Sequence, residues 1–167
     1  DILHVTGITP ALSKTNLKTV LDTLQLCKEL GIPVSMDVNY RDQLWTPSAA
    51  KDIIEKLLPF TSIFKVGRDE AETIWQLELS ANEYAAHFYQ GPGTLTIVTD
   101  GESGAVLFNG STYINEPSIE IEVIDPVGAG DAFVAGFLAT LIRQNFHFHD
   151  LVNKTSVIQT ETLSKAL

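Results

Sequence analysis

Cysteine is almost absent from this chain of 167 residues: Cys27 stands alone. One thiol cannot close an intramolecular disulfide, and no Cys/His cluster has the spacing of a zinc site. Cys27 falls in a helical pattern, where it reads as a packing residue, so a reducing, cytoplasmic compartment is expected. Basic residues are also scarce. Lys and Arg number 11 against 21 Asp and Glu, for a net charge of −10. Such a surface repels phosphate backbones, which argues against nucleic acid as a partner. It does not exclude a small anionic ligand, because one site needs only a few local donors. Long apolar runs are missing too. None approaches the roughly 20 residues of a membrane span, so no membrane partner is expected. The first residues, Asp1 to Gly7, carry neither an initiator Met nor a basic-then-apolar leader. They open directly on a strand pattern, which reads as a piece of a longer chain.

What is present is a globular composition. Hydrophobic residues make up 44% of the chain, enough for a buried core at this length. Ile2–Thr6 reads as a strand. Ser13 is a plausible N-cap for a helix running to Leu30, with Leu17, Val20, Leu21, Leu24 and Cys27 on one face and Gly31 as its stop. Pro33–Val38 reads as the next strand, making a parallel βαβ unit. A helix opens at Thr46-Pro47 with Ile53, Ile54, Leu57 and Leu58 inward. Ser62–Val66 is a third strand, followed by the acidic helix start Asp69-Glu70. Ser80–Tyr89 reads as a helix with Asn82 near its cap. Leu95–Thr99 is a strand; Ala105–Phe108, Asn109-Gly110 and Thr112–Ile114 form a hairpin. Ile119–Ile124 alternates like an edge strand. A long helix follows from Gly128, with Phe133, Phe137, Leu138, Leu141 and Ile142 inward, and Asp150–Leu167 reads as a last helix. This order predicts an α/β layered fold with a mostly parallel sheet, and one partial domain over residues 1–167.

Four stretches carry chemistry. In Asp125-Pro126-Val127-Gly128-Ala129-Gly130-Asp131, a Gly-Ala-Gly turn opens an apolar helix. The first N–H groups of a helix lack acceptors and carry the positive end of its dipole, so an anion can sit there. Asp131 in the first turn can take a proton from an attacking hydroxyl. Anion site plus carboxylate suits phosphoryl transfer to an alcohol. By spacing alone, an ordinary Gly-rich helix entry fits equally well. Asp37-Val38-Asn39-Tyr40-Arg41 follows a strand, where open α/β sheets bind ligands, and Arg41 offers a planar fork for a carboxylate or phosphate. After the next strand, in Lys65-Val66-Gly67-Arg68-Asp69-Glu70, Glu70 is a candidate to hold a hydrated Mg²⁺. Thr99-Asp100-Gly101-Glu102-Ser103-Gly104 is a turn whose glycines suit a nucleotide lying across it. His4, His87, His147 and His149 share no spacing with carboxylates and read as structural.

At these residues the sequence resembles the ribokinase-like (PfkB) carbohydrate kinases. Asp125–Asp131 is similar to the family signature DTxGAGD, with Pro126-Val127 in place of Thr-x. The resemblance implies Asp131 as catalytic base and Gly128, Ala129 and Gly130 as anion hole. Within the family, His4–Leu12 and Asp37–Trp45 are similar to the SGITPAL and DxNYRxxLW runs of the 2-keto-3-deoxygluconate kinases. That implies a substrate site of Ile8, Asn39, Tyr40 and Arg41 together with Gly128 and Asp131, with Arg41 as the polar clamp. Lys65–Glu70 sits where the family carries Asn-x-x-Glu; Glu70 matches, as an outer-shell Mg²⁺ group, and Gly67 replaces the Asn. Gly67 and Thr99, Asp100, Gly101, Glu102, Ser103 and Gly104 would form the nucleotide site. The family's Asn-containing adenosine helix has no clear match in Val152–Thr162, where Asn153 and Thr155 are the polar candidates. The lid and first strands of the family do not appear.

The resemblance therefore implies ATP, with Mg²⁺, phosphorylating a sugar acid, 2-keto-3-deoxygluconate, to its 6-phosphate. Fructokinase or another PfkB sugar kinase is the alternative, and so is an inactive fragment that only binds nucleotide. Exposed sheet edges lead us to expect self-association, as a homo-oligomer or as aggregate.

Overall fold

The computed structural model describes residues 1–120, 125, 127–153 and 160–167. Six strands form one sheet: β1 (Leu3–Thr6), β2 (Val34–Asp37), β3 (Ile63–Gly67), β4 (Leu95–Thr99), β5 (Ala105–Phe108) and β6 (Tyr113–Glu116). They lie side by side in chain order. β1 to β4 run parallel; β5 and β6 add as an antiparallel hairpin. The helices are α1 (Ile8–Ala11), α2 (Lys14–Leu30), α3 (Pro47–Leu57), α4 (Arg68–Trp75), α5 (Ala81–His87), α6 (Ala129–Arg143), α7 (His149–Asn153) and α8 (Thr160–Ala166). The expected α/β layering with a mostly parallel sheet is present.

Strand order decides the layers. Parallel crossovers are right-handed almost without exception, and with the strands in chain order crossovers of one hand place their helices on one face. There α2, α3, α4 and α5 bury Leu24, Ile54, Ala71 and Tyr84 against Met36, Phe64 and Val98. The other face is covered by α6, α7 and α8, which bury Phe137, Leu141, Leu151 and Leu163 against Ile97 and Leu107. The helix ends follow local chemistry. Ser13 Oγ accepts the Asn16 N–H and Gly31 closes α2 with φ +66°. Thr46 caps α3 with Pro47 in its first turn. Such a side-chain cap contributes about 1 kcal/mol.

Several expectations shift. α5 is capped by Ser80, whose side chain exchanges hydrogen bonds with Glu83, and not from Asn82. Ile142 is 59% exposed, because α6 buries Val134, Phe137 and Leu141 at i, i+3 and i+7. The final helix is described as two pieces, α7 and α8. Ile119 and Glu120 are not in a strand; positions 121–124 of that expected strand, Pro126, Thr155 and the side chain of Asn153 lie outside the described residues. Among the described residues, no helix is long and apolar enough to cross a membrane.

Candidate active site

In an open parallel sheet the loops beyond the carboxyl ends of the strands form the crevice. Here the loops after β2 and β3, Thr99 at the end of β4, and the start of α6 line one cleft of about 830 Å³. Asn39, Tyr40, Arg41, Lys65, Gly67 and Glu70 reach it from the sheet, and Gly128, Ala129, Gly130 and Asp131 from the helix. Residues more than 90 positions apart thus share one space.

The start of α6 leaves backbone N–H groups open to the cleft. Gly128 caps it at φ +84°, a left-handed conformation that L side chains resist. Asp125 Oδ1 accepts the Val127 N–H at 2.9 Å and fixes the approach. The first helical bond is Ala132 N–H to Gly128 O, at 2.9 Å. The N–H groups of Ala129, Gly130 and Asp131 therefore have no acceptor within the helix. Asp131 is exposed, and its Oδ1 accepts the Asn39 amide at 3.2 Å. Asn39 reaches it from a backbone at φ +41°.

Beneath this turn lies a buried ion pair. Lys65 Nζ sits 3.0 Å from Asp37 Oδ1 and 3.3 Å from Oδ2, with the two residues only 7% and 1% exposed. A Cβ on Gly130 would lie 3.2 Å from Lys65 Nζ, so the glycine lets the helix start come down onto the ammonium. His4 Nδ1 is 3.1 Å from Ser35 Oγ. Partial desolvation lowers the pKa of its ring, against the weaker upward pull of Asp37 and then Asp131.

The loop after β2 is tied down from below. Glu70 Oε1 accepts the Tyr40 N–H at 2.7 Å, and Oε2 accepts the Gly67 N–H at 2.8 Å. Burial raises the pKa of this carboxyl, outweighing those two hydrogen bonds. Both Glu70 oxygens are thus engaged by backbone N–H groups. The Tyr40 hydroxyl donates to Trp45 O, so it braces its own loop. Arg41 is exposed, with Nη1 on the Tyr40 carbonyl.

A model of pfkB family carbohydrate kinases matches residues 1–154. The chain belongs to this family. A 2-dehydro-3-deoxygalactonokinase of Haloferax volcanii is 36% identical over 143 residues, 83% of this chain and 44% of that protein. A 2-dehydro-3-deoxygluconokinase of Escherichia coli is 28% identical over 144 residues, 83% of this chain and 47% of that one. The solved aminoimidazole riboside kinase of Salmonella enterica aligns with a TM-score of 0.75 at 27% identity, over 98% of this chain and 52% of that one. A second structure of that enzyme, with aminoimidazole riboside and an ATP analogue, gives 0.74 at 24% identity over 98% of this chain and 51% of that one. The chain spans about half the length of the relatives it matches.

The pfkB chain spreads its expected nucleotide residues over three places, with Gly67 and Thr99 on the cleft itself. Thr99, Gly101 and Gly104 line a second, apolar pocket of about 430 Å³ that shares Ala129 and Gly130 with the cleft. Asp100 and Ser103 line a separate hollow on the other side of the turn, beside Arg68, and Glu102 is exposed. Ile8, in α1, does not line the cleft. Asp37 and Lys65 are the cleft residues whose pairing the sequence reading did not anticipate. The signal was a lone lysine inside a buried, otherwise apolar strand, Ile63-Phe64-Lys65-Val66; a cation there needs a partner.

Proposed function

We propose that this chain is the nucleotide-binding and catalytic part of a sugar-acid kinase that transfers the terminal phosphoryl of ATP to the 6-hydroxyl of a 2-keto-3-deoxyhexonate, 2-keto-3-deoxygluconate or its galactonate epimer. The observation that carries this is the meeting of Asp131, Asn39 and Arg41 with the free N–H groups of α6 in one cleft. Arg41 pairs its planar fork with the substrate carboxylate, which a neutral sugar lacks. Asn39 holds one oxygen of Asp131, leaving the other to accept the hydroxyl proton. As that proton leaves, the oxygen bonds to phosphorus, the bond to ADP breaks and ADP departs. The N–H groups of the Gly128–Gly130 turn meet the transferred phosphoryl. ATP lies across the Thr99–Gly104 turn, with its base side towards the apolar pocket beside Phe133. Mg²⁺, when bound, neutralises phosphate charge; Glu70 serves it through water. The buried Cys27 suits a reducing cytosol.

The test is ATP-dependent phosphorylation of 2-keto-3-deoxygluconate and 2-keto-3-deoxygalactonate beside fructose and ribose, with Asp131→Asn as control. Turnover on a sugar acid that vanishes in the control is expected. Turnover on fructose or ribose alone would replace the substrate assignment. ATP binding without any turnover would leave a nucleotide-binding remnant.

A further inference from the structure

Arg68 is the first residue of α4 and lies outside the cleft, yet its side chain ties α4 to the segment before α5 and to the turn after β4. Its Nε donates to Leu79 O at 3.2 Å, its Nη1 to Asp100 Oδ2 at 3.3 Å, and its Nη2 lies 3.3 Å from Glu72 Oε1. Asp100 opens and closes the turn proposed to hold the nucleotide. Its N–H donates to Gly104 O at 2.8 Å and its carbonyl accepts from Ser103 N at 2.9 Å. Behind that turn, the hollow of about 430 Å³ is bordered by Arg68, Leu79, Asp100, Ser103 and Asn115. The Arg68 guanidinium is the side chain that holds the Asp100 carboxylate on this side, at 3.3 Å.

The other end of the same short segment holds the sugar-acid loop. Gly67 and Glu70 flank Arg68, and Glu70 grips the Tyr40 N–H between Asn39 and Arg41. From Tyr40 to Asp100 the route runs through Glu70, the first turn of α4 and Arg68, and each non-covalent step is a hydrogen bond. We propose that Arg68 is a positioning residue that couples the sugar-acid loop to the nucleotide turn, so that each ligand tightens the binding of the other. This rests on the substrate and nucleotide sites proposed above. A ligand that orders its own loop lowers what the second must order, and the coupling is reciprocal. Because the pair is partly exposed, the effect belongs at the lower end of typical coupling, about five-fold in affinity.

The experiment is calorimetric titration of a non-hydrolysable ATP analogue into the chain, with and without saturating 2-keto-3-deoxygluconate. The wild-type chain is expected to bind the analogue about five-fold more tightly in the presence of the sugar acid. Arg68→Ala should bring that ratio close to one, while Arg68→Lys, which keeps a charge facing Asp100, restores part of it. Glu72→Ala, which removes the other acidic partner, should leave the ratio unchanged. Thermal melts establish that each variant is folded. A ratio retained in folded Arg68→Ala overturns the coupling role while leaving the function intact. Both ligands binding to the wild type with a ratio of one does the same. No analogue binding by the wild type overturns the nucleotide site itself, and the inference with it.

Discussion

Along β2, Val34 and Met36 turn to one face of the sheet and Ser35 and Asp37 to the other. β3 repeats this, with Phe64 and Val66 against Ile63 and Lys65. On the face of α2 to α5 the apolar set is continuous. On the face of α6 it covers β3 to β6 and gives way to His4, Ser35, Asp37 and Lys65 towards β1. The same four parallel strands thus carry a packed core on one side and, near their carboxyl ends, a polar floor on the other. The difference comes from topology: three crossovers fill one face, and among the described residues α6 to α8 remain for the other. The polar floor sits where the start of α6 crosses it. The packed face carries stability; the polar face is available for chemistry.

The largest expected effect separates the two faces. On the proposed function, Asp131→Asn should lower turnover by about 10²- to 10⁴-fold with an unchanged melting temperature, since Asp131 is exposed. Leu57→Ala, fully buried in the packed face, should do the reverse, costing about 2–5 kcal/mol of stability while the folded fraction keeps its KM. ADP release and thermal unfolding, measured on both variants, check this. A melting temperature lowered as much by Asp131→Asn as by Leu57→Ala would break the comparison.

Lys65 tests it from the other direction, as the place where the polar face is itself buried. Lys65→Met leaves the Asp37 carboxylate unpaired, at a cost of about 3–5 kcal/mol. Adding Asp37→Leu removes the second charge and should recover most of that loss. Urea denaturation of the single and double variants reads both quantities. If Lys65→Met melts like the wild type, water reaches the pair and the floor is not part of the core.

How much of this was legible beforehand depends on range along the chain. β4 and β5 follow from local turn chemistry and match the expected Leu95–Thr99 and Ala105–Phe108, whereas the second hairpin strand, expected at Thr112–Ile114, is Tyr113–Glu116. Helix α1 has four residues, too few to show a period, and was missed. The glycine turn and Asp131 were visible because a helix start is a local pattern. That Glu70 would hold the Tyr40 and Gly67 N–H groups was not: its acidic helix-start position looks the same whether it faces a metal or a backbone. The Asp37–Lys65 pair bridges neighbouring strands 28 residues apart, so no window along the sequence contains it as a pair. Lys65 did announce a need for a partner; the register of β2 against β3, Asp37 beside Lys65, supplied it.

The smallest expected effect is on pH dependence, and it too distinguishes the faces, since the apolar face has almost nothing to titrate. His4 is held by Ser35 Oγ and faces Asp37 and Asp131, and desolvation outweighs both carboxylates, so its folded pKa lies below the usual 6.5. The unfolded chain then takes up a proton before the folded one does. Stability is unaffected above pH 6.5 and falls as pH drops below it, until the folded ring protonates. Glu70 works in the opposite sense. Its folded pKa is raised, so its contribution is fullest below the unfolded value of 4.5 and is lost as pH rises through the folded value. The two oppose each other in acid, so the wild-type profile alone does not isolate His4. His4→Asn, which keeps a polar group facing Ser35, removes one of the two. Urea midpoints of both proteins at pH 7.5, 6.5 and 5.5 should run together above 6.5 and separate below it, with the wild type losing more. The ring is open to water along the β1 edge, which keeps the separation small. Parallel midpoints throughout would mean that His4 is hydrated in the folded state and that the polar floor stops at Ser35.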